Sequence, residues 1–211
     1  MKTLLIDDHP LFREGLAMLM TQAFPELQLC QAGGIAEALE CIKTEGDIAL
    51  VLLDLGLPDS AGLQGIERLR EHAPQVTVVV LSANEAPETV LAAIDAGAAG
   101  FIPKTSRLGA MQTALRVVLD GGVYLPDAVL GRSSSEPEAD PTLGLSPRQL
   151  DVLKLLIEGK PNKLICRELD LSESTVKTHL AAIFRKLNAS SRTQAVVAAA
   201  RLGLRLSHAG T

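Results

Sequence analysis

The stretch Leu50–Pro58, with the sequence LVLLDLGLP, constrains the fold of this chain more than any other. Apolar residues lead without interruption into a single carboxylate, Asp54, and a turn with Gly56 and Pro58 follows. A continuous apolar run that ends at a Gly/Pro turn is typical of a strand buried on both faces of a parallel sheet. Asp54 is then expected at the carboxyl end of that strand, the edge where open α/β sheets carry their binding sites.

A second acidic strand end occurs near the N-terminus, where the run Thr3–Ile6 is followed by Asp7 and Asp8. If the two strands are neighbours, three carboxylates meet in one crevice. Two carboxylates about 4 Å apart repel by roughly 4 kcal/mol at an effective dielectric near 20, so three together need a proton or a cation. Oxygen ligands favour a hard divalent cation, and Mg²⁺ is the usual one beside phosphate. We predict a Mg²⁺-dependent phosphoryl site; the alternative is that these acids are ordinary surface turn residues.

Strand and helix patterns alternate over the first 126 residues. The predicted strands are Lys2–Ile6, Leu27–Ala32, Ile48–Leu53, Val76–Leu81 and Gly100–Ile102. The predicted helices are Pro10–Ala23, Ile35–Glu45, Gly62–Ala73, Pro87–Ala96 and Ser106–Asp120. Five βα repeats predict an α/β domain with a doubly wound, five-stranded parallel sheet that ends near Pro126.

Two further polar residues occur at strand ends of this sheet. Ser82 closes the fourth strand and Lys104 follows the fifth, so both are expected at the same edge as Asp54. A carboxylate that attacks a phosphoryl group needs that group's charge neutralised, which Mg²⁺ and the Lys104 ammonium can do. The Ser82 hydroxyl can hydrogen-bond a phosphoryl oxygen. Taken singly, Ser82 would be a strand-end cap and Lys104 a solvated lysine, but their matching positions favour a shared site.

Residues 1–126 resemble the receiver domain of two-component response regulators, which has a flavodoxin-like fold. The resemblance is carried by LLIDDHP, LLDLGLP with Gly62 downstream, VVLSA and GFIPK. It implies that Asp54 accepts a phosphoryl group from a sensor histidine kinase, and that Ser82 and Phe101 couple phosphorylation to a shifted surface. The implied Mg²⁺ ligands are Asp7, Asp8, Asp54 and the carbonyl of Gly56. Such a domain catalyses only its own phosphoryl transfer and dephosphorylation.

The residues around the lysine refine this resemblance. Many receivers have proline directly after the lysine, whereas here Thr105 follows Lys104 and Pro103 precedes it. That pattern resembles the NarL/FixJ branch, and the lysine keeps its implied role.

Charge divides the chain into parts. The first 126 residues contain 8 Lys or Arg against 16 Asp or Glu, a net −8, whereas residues 143–211 contain 11 against 5, a net +6. The intervening stretch 127–142 is rich in Ser, Pro and acids without an apolar period, which is typical of a solvated linker. We therefore predict a domain at 1–126, a linker at 127–142 and a basic domain at 143–211 whose partner is nucleic acid.

The basic part is helical throughout. Ser146, Pro147 and Gln149 have the pattern of a capped helix start. The predicted helix Glu173–Leu187 has apolar residues on one face and a basic outer face that includes Lys177. A short helix, a tight turn and this longer helix favour a helix-turn-helix that enters the major groove. The alternative is a small helical bundle with an ordinary charged face.

Residues 143–200 resemble the LuxR-type DNA-binding domain through LSPRQLDVL, NKLICRELDLSESTVKTHL and IFRKLNASSRTQAV. The implied base-edge contacts are Lys177, Thr178 and Ala181. The implied contacts to the phosphate backbone are Lys163, Thr175, His179 and Arg192. Ala181 has no hydrogen-bonding group and can touch only a thymine methyl. Asp170 occupies a turn position that is often Gly, which is tolerable because Asp adopts left-handed conformations more readily than most residues.

Composition excludes several classes of protein. Aromatic residues make up 2% of the chain, too few for aromatic-lined pockets or base-stacking platforms. Its apolar runs fall short of the ~20 residues that a membrane span needs. Cys30, Cys41 and Cys166 are scattered and odd in number, which is typical of reduced thiols in the cytoplasm.

These patterns together predict a cytoplasmic transcription factor controlled by phosphorylation, which binds double-stranded DNA as a homodimer through the helix Arg192–Leu202. We also expect the unphosphorylated acidic domain to occlude the recognition helix. Two alternatives stay open. One is a receiver that no longer takes phosphate and acts through protein contacts. The other is an aspartyl-phosphate phosphatase of the haloacid dehalogenase kind, whose two aspartates are one residue apart, whereas Asp7 and Asp8 are adjacent.

Overall fold

The computed structural model describes residues 1–126, 128–129 and 144–202. The chain divides into two compact units, Met1–Gln112 and Thr113–Thr211. The division falls inside a helix, ahead of the boundary near residue 126 that the charge pattern suggests. That boundary and the linker at 127–142 stay predictions, because most of the linker lies outside the described residues, as do residues 203–211.

Five strands form one parallel sheet, as the alternating pattern predicts. They are β1 (Lys2–Ile6), β2 (Gln28–Ala32), β3 (Ile48–Asp54), β4 (Thr77–Ser82) and β5 (Gly100–Pro103). Each agrees with its predicted bounds to within one residue at either end. The order across the sheet is β2-β1-β3-β4-β5, a doubly wound arrangement. Because β1 and β3 are neighbours, the two acidic strand ends can meet.

A helix follows each strand. These helices are α1 (Pro10–Ala23), α2 (Ile35–Glu45), α3 (Gln64–His72), α4 (Pro87–Asp95) and α5 (Leu108–Leu119). The first two have the predicted bounds, because Pro10 begins α1 and Gly46, with φ at 70°, ends α2. A left-handed residue after the last turn is a common helix stop, and glycine adopts that conformation without strain.

The register of β1 and β3 sets the position of the acids. Ile6 is paired with Leu53, so Asp7 comes level with Asp54 at the end of the two strands. Both strands are buried on both faces, and a buried Leu or Val side chain contributes about 1.5–3 kcal/mol to folding. The carboxylates therefore project from backbone that the core holds in place.

The register of β4 and β5 extends the same edge. Asp54 is paired with Leu81, so Ser82 lies one residue further along the edge. Ser82 is in turn paired with Pro103, so Lys104 lies one residue beyond that. The backbone N–H of Lys104 donates to the carbonyl of Ser82 at 2.8 Å. This one-residue stagger brings the predicted hydroxyl and lysine to the acids.

Within residues 144–202 the chain forms helices α6 (Pro147–Ile157), α7 (Asn162–Leu169), α8 (Glu173–Lys186) and α9 (Arg192–Arg201). The predicted capping box at the start of α6 is confirmed. Ser146 Oγ accepts from the backbone N–H of Gln149 at 3.3 Å, and Gln149 Oε1 accepts from the backbone N–H of Ser146 at 3.0 Å. Asp170 lies between α7 and α8 with φ at 52°, the left-handed conformation expected of it. Across the described residues, no helix is both long enough and apolar enough to span a bilayer.

Candidate functional site

Three carboxylates meet at the carboxyl edge of the sheet. Asp7 and Asp54 are buried, and Asp8 is partly exposed. Together with His9 they offer ligand atoms that all lie within 4.8 Å of one another. The structure thus brings together the three acids that the strand ends predict, and it adds a histidine that the sequence analysis did not assign to the site.

Lys104 connects two of these acids. Its Nζ lies 2.7 Å from Oδ2 of Asp7 and 2.7 Å from Oδ2 of Asp54, and the lysine side chain is 13% exposed. The ammonium also lies 4.7 Å from the centroid of the Phe12 ring, within cation–π range. One positive charge therefore offsets part of the repulsion between the carboxylates.

His9 borders the acids on the solvent side. Its Nδ1 lies 2.8 Å from Oδ1 of Asp8, and its backbone N–H donates to Oδ1 of Asp7 at 2.9 Å. The His9 side chain is 66% exposed, so most of its imidazole ring is in contact with solvent. The signal that could have found it is its place directly after the acidic pair.

The carboxylate oxygens fit a hard divalent cation. Oδ2 of Asp7 and Oδ1 of Asp8 are buried and accept no hydrogen bond of normal geometry from the described residues, although each lies within 2.8 Å of a Lys104 or His9 nitrogen. A metal ion satisfies such oxygens through its positive charge and does not need the donor geometry of a hydrogen bond. Opposite ligands of an octahedral Mg²⁺ lie about 4.2 Å apart, close to the spread of this cluster. The Gly56 backbone is adjacent, since a Cβ there would lie 3.4 Å from Oδ2 of Asp54.

Ser82 and Phe101 occupy different environments. Ser82 is buried at the sheet edge, and its Oγ accepts from the backbone N–H of Asn84 at 3.1 Å. Phe101 is fully buried in β5, paired in register with Val80. Ser82 thus lies where a hydroxyl could meet a phosphoryl group, whereas Phe101 is a core residue whose switch role stays a prediction.

Asp59 shapes the neighbouring loop and was missed by the sequence analysis. Its two carboxylate oxygens accept from the backbone N–H groups of Ile35 at 3.1 Å and Ala36 at 3.0 Å, at the start of α2. Gly34 precedes that helix, and a Cβ there would lie 2.8 Å from Oδ2 of Asp59. Desolvation acts to raise the pKa of Asp59, but the backbone hydrogen bonds outweigh it and lower the pKa below its ordinary value. No local pattern predicts a cap supplied from 24 residues away.

In the second unit, α8 separates its faces as predicted. Val176, Leu180 and Ile183 are buried. The predicted base-contact residues Lys177, Thr178 and Ala181 are exposed. Their placement fits a recognition helix, and their contacts to DNA stay a prediction.

The residues predicted to contact phosphate differ in their exposure to solvent. Lys163 is exposed on α7, and Thr175 and His179 are half-exposed on α8. The guanidinium of Arg192 instead donates to Oδ1 of Asn162 at 3.0 Å and to the carbonyl of Lys160. Burial lowers the pKa of Arg192 to about 10, so it stays charged at neutral pH. The structure therefore does not place Arg192 with the exposed residues.

Two families match this chain. The response regulator receiver domain matches residues 3–116, and the bacterial regulatory proteins of the luxR family match residues 143–199. The chain is 40% identical over 208 residues to the glycerol metabolism activator of Pseudomonas putida, covering 94% of each chain. It is 34% identical over 203 residues to the nitrate/nitrite response regulator protein NarL of Escherichia coli, covering 92% of each.

A solved structure agrees with these matches. A LuxR family DNA-binding response regulator from Silicibacter pomeroyi is 31% identical and superimposes with a TM-score of 0.53. The alignment covers 59% of this chain and 96% of that one. The sheet with its acidic edge and the helix-turn-helix define a class, the DNA-binding response regulators. This chain belongs to that family, with a receiver domain and a LuxR-type DNA-binding domain, and its relatives place it in the NarL/FixJ branch.

Proposed function

We propose that this transcriptional regulator is controlled by phosphoryl transfer from a sensor histidine kinase to Asp54, with Mg²⁺ as cofactor. The observation that supports this most directly is the Lys104 ammonium, which lies 2.7 Å from both Asp7 and Asp54 at the end of buried strands. A lysine held between two carboxylates supplies positive charge where a phosphoryl group would add negative charge.

In the proposed reaction, a carboxylate oxygen of Asp54 attacks the phosphorus atom of a phosphohistidine. The new O–P bond forms an acyl phosphate while the P–N bond to the donor imidazole breaks. Lys104 holds its charge beside the attacked group, and the Ser82 hydroxyl donates to a phosphoryl oxygen. Asp7, Asp8, Asp54 and the Gly56 carbonyl would hold Mg²⁺. When bound, the cation neutralises charge on the transferred group.

The experiment uses acetyl phosphate as donor and intact-mass spectrometry as readout. We expect the wild type to gain one phosphoryl group with Mg²⁺ present and none with EDTA. Asp54→Asn should stay unmodified, because an amide is a far poorer nucleophile than a carboxylate. Asp59→Asn is the matched control, since Asp59 lies in the loop that follows Asp54 but binds backbone N–H groups.

Each outcome separates the alternatives. Equal labelling of wild type and Asp54→Asn would refute the acceptor assignment. A wild type that takes no phosphate would favour the receiver that acts through protein contacts alone. The phosphatase alternative predicts steady turnover of donor, and it does not account for the luxR-family match at residues 143–199.

For the second unit we propose binding of double-stranded DNA by a homodimer. The net +6 of residues 143–211 and the exposed Lys177 and Lys163 support DNA binding. Most of α9 is buried against its own unit, but Gln194, Ala198 and Arg201 recur at helical spacing; the first two are partly exposed and Arg201 is exposed. We propose that face of α9 as the dimer contact. The free cysteines Cys30, Cys41 and Cys166 support a reducing, cytoplasmic location.

A further inference from the structure

An exposed ion pair lies at the start of the recognition helix. Glu173 is the first residue of α8, and its Oε1 lies 2.8 Å from Nζ of Lys177, one helical turn later. The two side chains are 61% and 65% exposed, so both remain available to a ligand. The family resemblance implies a base contact for Lys177 and no role for Glu173.

The first residue of α8, Glu173, is unsuited to a phosphate. Ser172 Oγ already accepts from the backbone N–H of Thr175 at 3.1 Å, so one of the unpaired donors of the first turn is satisfied. Glu173 adds a negative charge that the helix dipole stabilises and that repels another anion. In a helix-turn-helix, the N-terminal residues of the second helix contact base edges. Glu173 therefore belongs to the part of α8 that meets the bases, and its charge directs it away from the backbone.

The chemistry of a carboxylate restricts what Glu173 can bind in the groove. The hydrogen bond and charge of Lys177 lower the pKa of Glu173, so it is ionised at neutral pH and can only accept hydrogen bonds. The donors that the major groove offers are the exocyclic amines of cytosine and adenine. A G·C pair presents the guanine O6 and N7 acceptors beside the cytosine N4 amine. An ammonium and a carboxylate 2.8 Å apart are complementary to that pattern.

We infer that Glu173 is a second specificity-determining residue, which accepts a hydrogen bond from the cytosine N4 amine of a G·C pair whose guanine Lys177 would contact. This rests on the proposed binding of DNA by α8. If Glu173 were only a helix-stabilising partner of Lys177, its removal would leave the preference for bases unchanged.

The test measures base preference with the full-length protein, with and without acetyl phosphate. A preferred duplex is selected by the wild type from a random-sequence pool, and each base pair is then varied in turn. For the wild type we expect a cytosine whose replacement weakens binding about fivefold or more. In Glu173→Gln that loss should fall below twofold, or the preference should move to adenine, because a Gln amide pairs with adenine N6 and N7.

Glu168→Gln is the matched control. It removes the same charge from an exposed carboxylate on α7, which pairs with Lys160 and lies outside the recognition helix α8. The substitution should therefore change no base preference. Thermal melting followed by circular dichroism confirms that both variants fold. Lys177→Ala is measured alongside, because it should weaken the preference for the guanine of the same pair.

Besides an unchanged base preference in Glu173→Gln, three results would overturn the inference. If Glu173→Gln tightens binding to every duplex equally, Glu173 merely repels the backbone. If N4-methylcytosine in that pair, which keeps the guanine but blocks the N4–H in the major groove, leaves wild-type affinity unchanged, Glu173 only positions the lysine. If the wild type selects no sequence at all, the proposed recognition of DNA by α8 fails first, and the inference fails with it.

Discussion

Lys104 is the residue on which the charge balance of the acidic edge depends. Its ammonium contacts two carboxylates, Asp7 and Asp54, that are almost entirely removed from water. Breaking a buried ion pair by removing one partner leaves an uncompensated charge, which typically destabilises a protein by about 3–5 kcal/mol. Stability and chemistry at this site are therefore linked through one side chain.

We predict that Lys104→Met lowers the free energy of unfolding by about 3–5 kcal/mol without divalent cation, because Asp7 and Asp54 then repel each other. Added Mg²⁺ should restore more stability to the variant than to the wild type. Urea unfolding with EDTA and with Mg²⁺ measures both effects. Lys43→Met is the control, since Lys43 pairs with Glu40 on the surface and should change stability by less than about 0.5 kcal/mol. Equal losses in the two variants would contradict the prediction.

The residues of the acidic edge differ in how far the sequence could predict them. Asp7, Asp8, Asp54, Ser82 and Lys104 stand at strand ends, and a parallel sheet brings such ends together whatever the loops do. Asp59 lies in a loop whose path depends on tertiary contacts, so the strand pattern carries no information about it, whereas His9 could have been found from its place directly after the acidic pair. Glu173 lies on a helix face that the pattern did predict, but its pairing depends on the side-chain geometry.

At the scale of elements, α2 depends on a cap from another loop. Gly34 before the helix has no side chain to offer, so Asp59 accepts the hydrogen bonds of its first N–H groups. The loop after β3, which follows Asp54, is thereby tied to α2. Helix α2 is thus held at its start by the same loop that borders Asp54.

We predict that Asp59→Ala lowers the free energy of unfolding by about 1 kcal/mol at pH 7, the usual effect of losing a cap. The hydrogen bonds hold the pKa of Asp59 below its ordinary value. Its stabilising contribution is therefore fully present above the ordinary carboxyl pKa and is lost as the pH falls through the lowered value. Urea unfolding of both proteins from pH 7 to pH 3 should show the difference vanish at the acidic end. A difference that persists there would argue against the cap.

A second prediction for elements concerns α9 and α7. Arg192→Ala leaves Oδ1 of Asn162 and the carbonyl of Lys160 without their donor, so we expect a loss of about 1–3 kcal/mol in stability. The dependence of DNA affinity on salt should stay unchanged. Lys163→Ala, on the exposed side of α7, should leave stability intact and reduce the salt slope by about one. DNA-binding titrations at several salt concentrations measure the salt slope. A reduced slope for Arg192→Ala would show that Arg192 contacts the phosphate backbone after all.

The elements themselves follow closely from local patterns. Strand bounds agree to within one residue, because buried apolar runs stop sharply at Gly, Pro and Asp. Asp170 adopts its left-handed turn as expected, whereas Asn188 also has a φ of 51°, just beyond the predicted end of α8 at Leu187. The division inside α5 departs from the charge pattern, since charge reflects the partners of a segment and compactness reflects its packing.

At the scale of the whole molecule, opposite charges are tethered in one chain. The first 126 residues carry a net −8 and residues 143–211 a net +6. We predict that residues 127–142 form a flexible linker, which at about sixteen residues would span only roughly 20–24 Å. Such a linker would hold the acidic domain at high effective concentration near the basic helix. Phosphorylation at Asp54 would then shift the population towards a form that binds DNA.

We predict that the unphosphorylated receiver occludes the recognition helix. DNA affinity at fixed salt should be compared for the full-length protein, the phosphorylated protein and the fragment from Leu143 onward. Occlusion requires the fragment to bind at least as well as the phosphorylated protein, and the unmodified protein to bind clearly less well. A fragment as weak as the unmodified protein would show that the receiver acts by supplying a dimer contact instead.

The strand order also fixes when, during synthesis, the acidic edge becomes complete. Asp7 directly follows β1 and Asp54 ends the adjacent strand β3, but Lys104 follows β5, at the far edge of the sheet. A chain leaving the ribosome therefore exposes Asp54 about fifty residues before the lysine that balances it. Under the proposed phosphoryl transfer, nascent or truncated chains would contain Asp54 without Lys104 beside it. Only a finished and folded first unit would then accept a phosphoryl group, so incomplete copies would not draw phosphate away from complete ones.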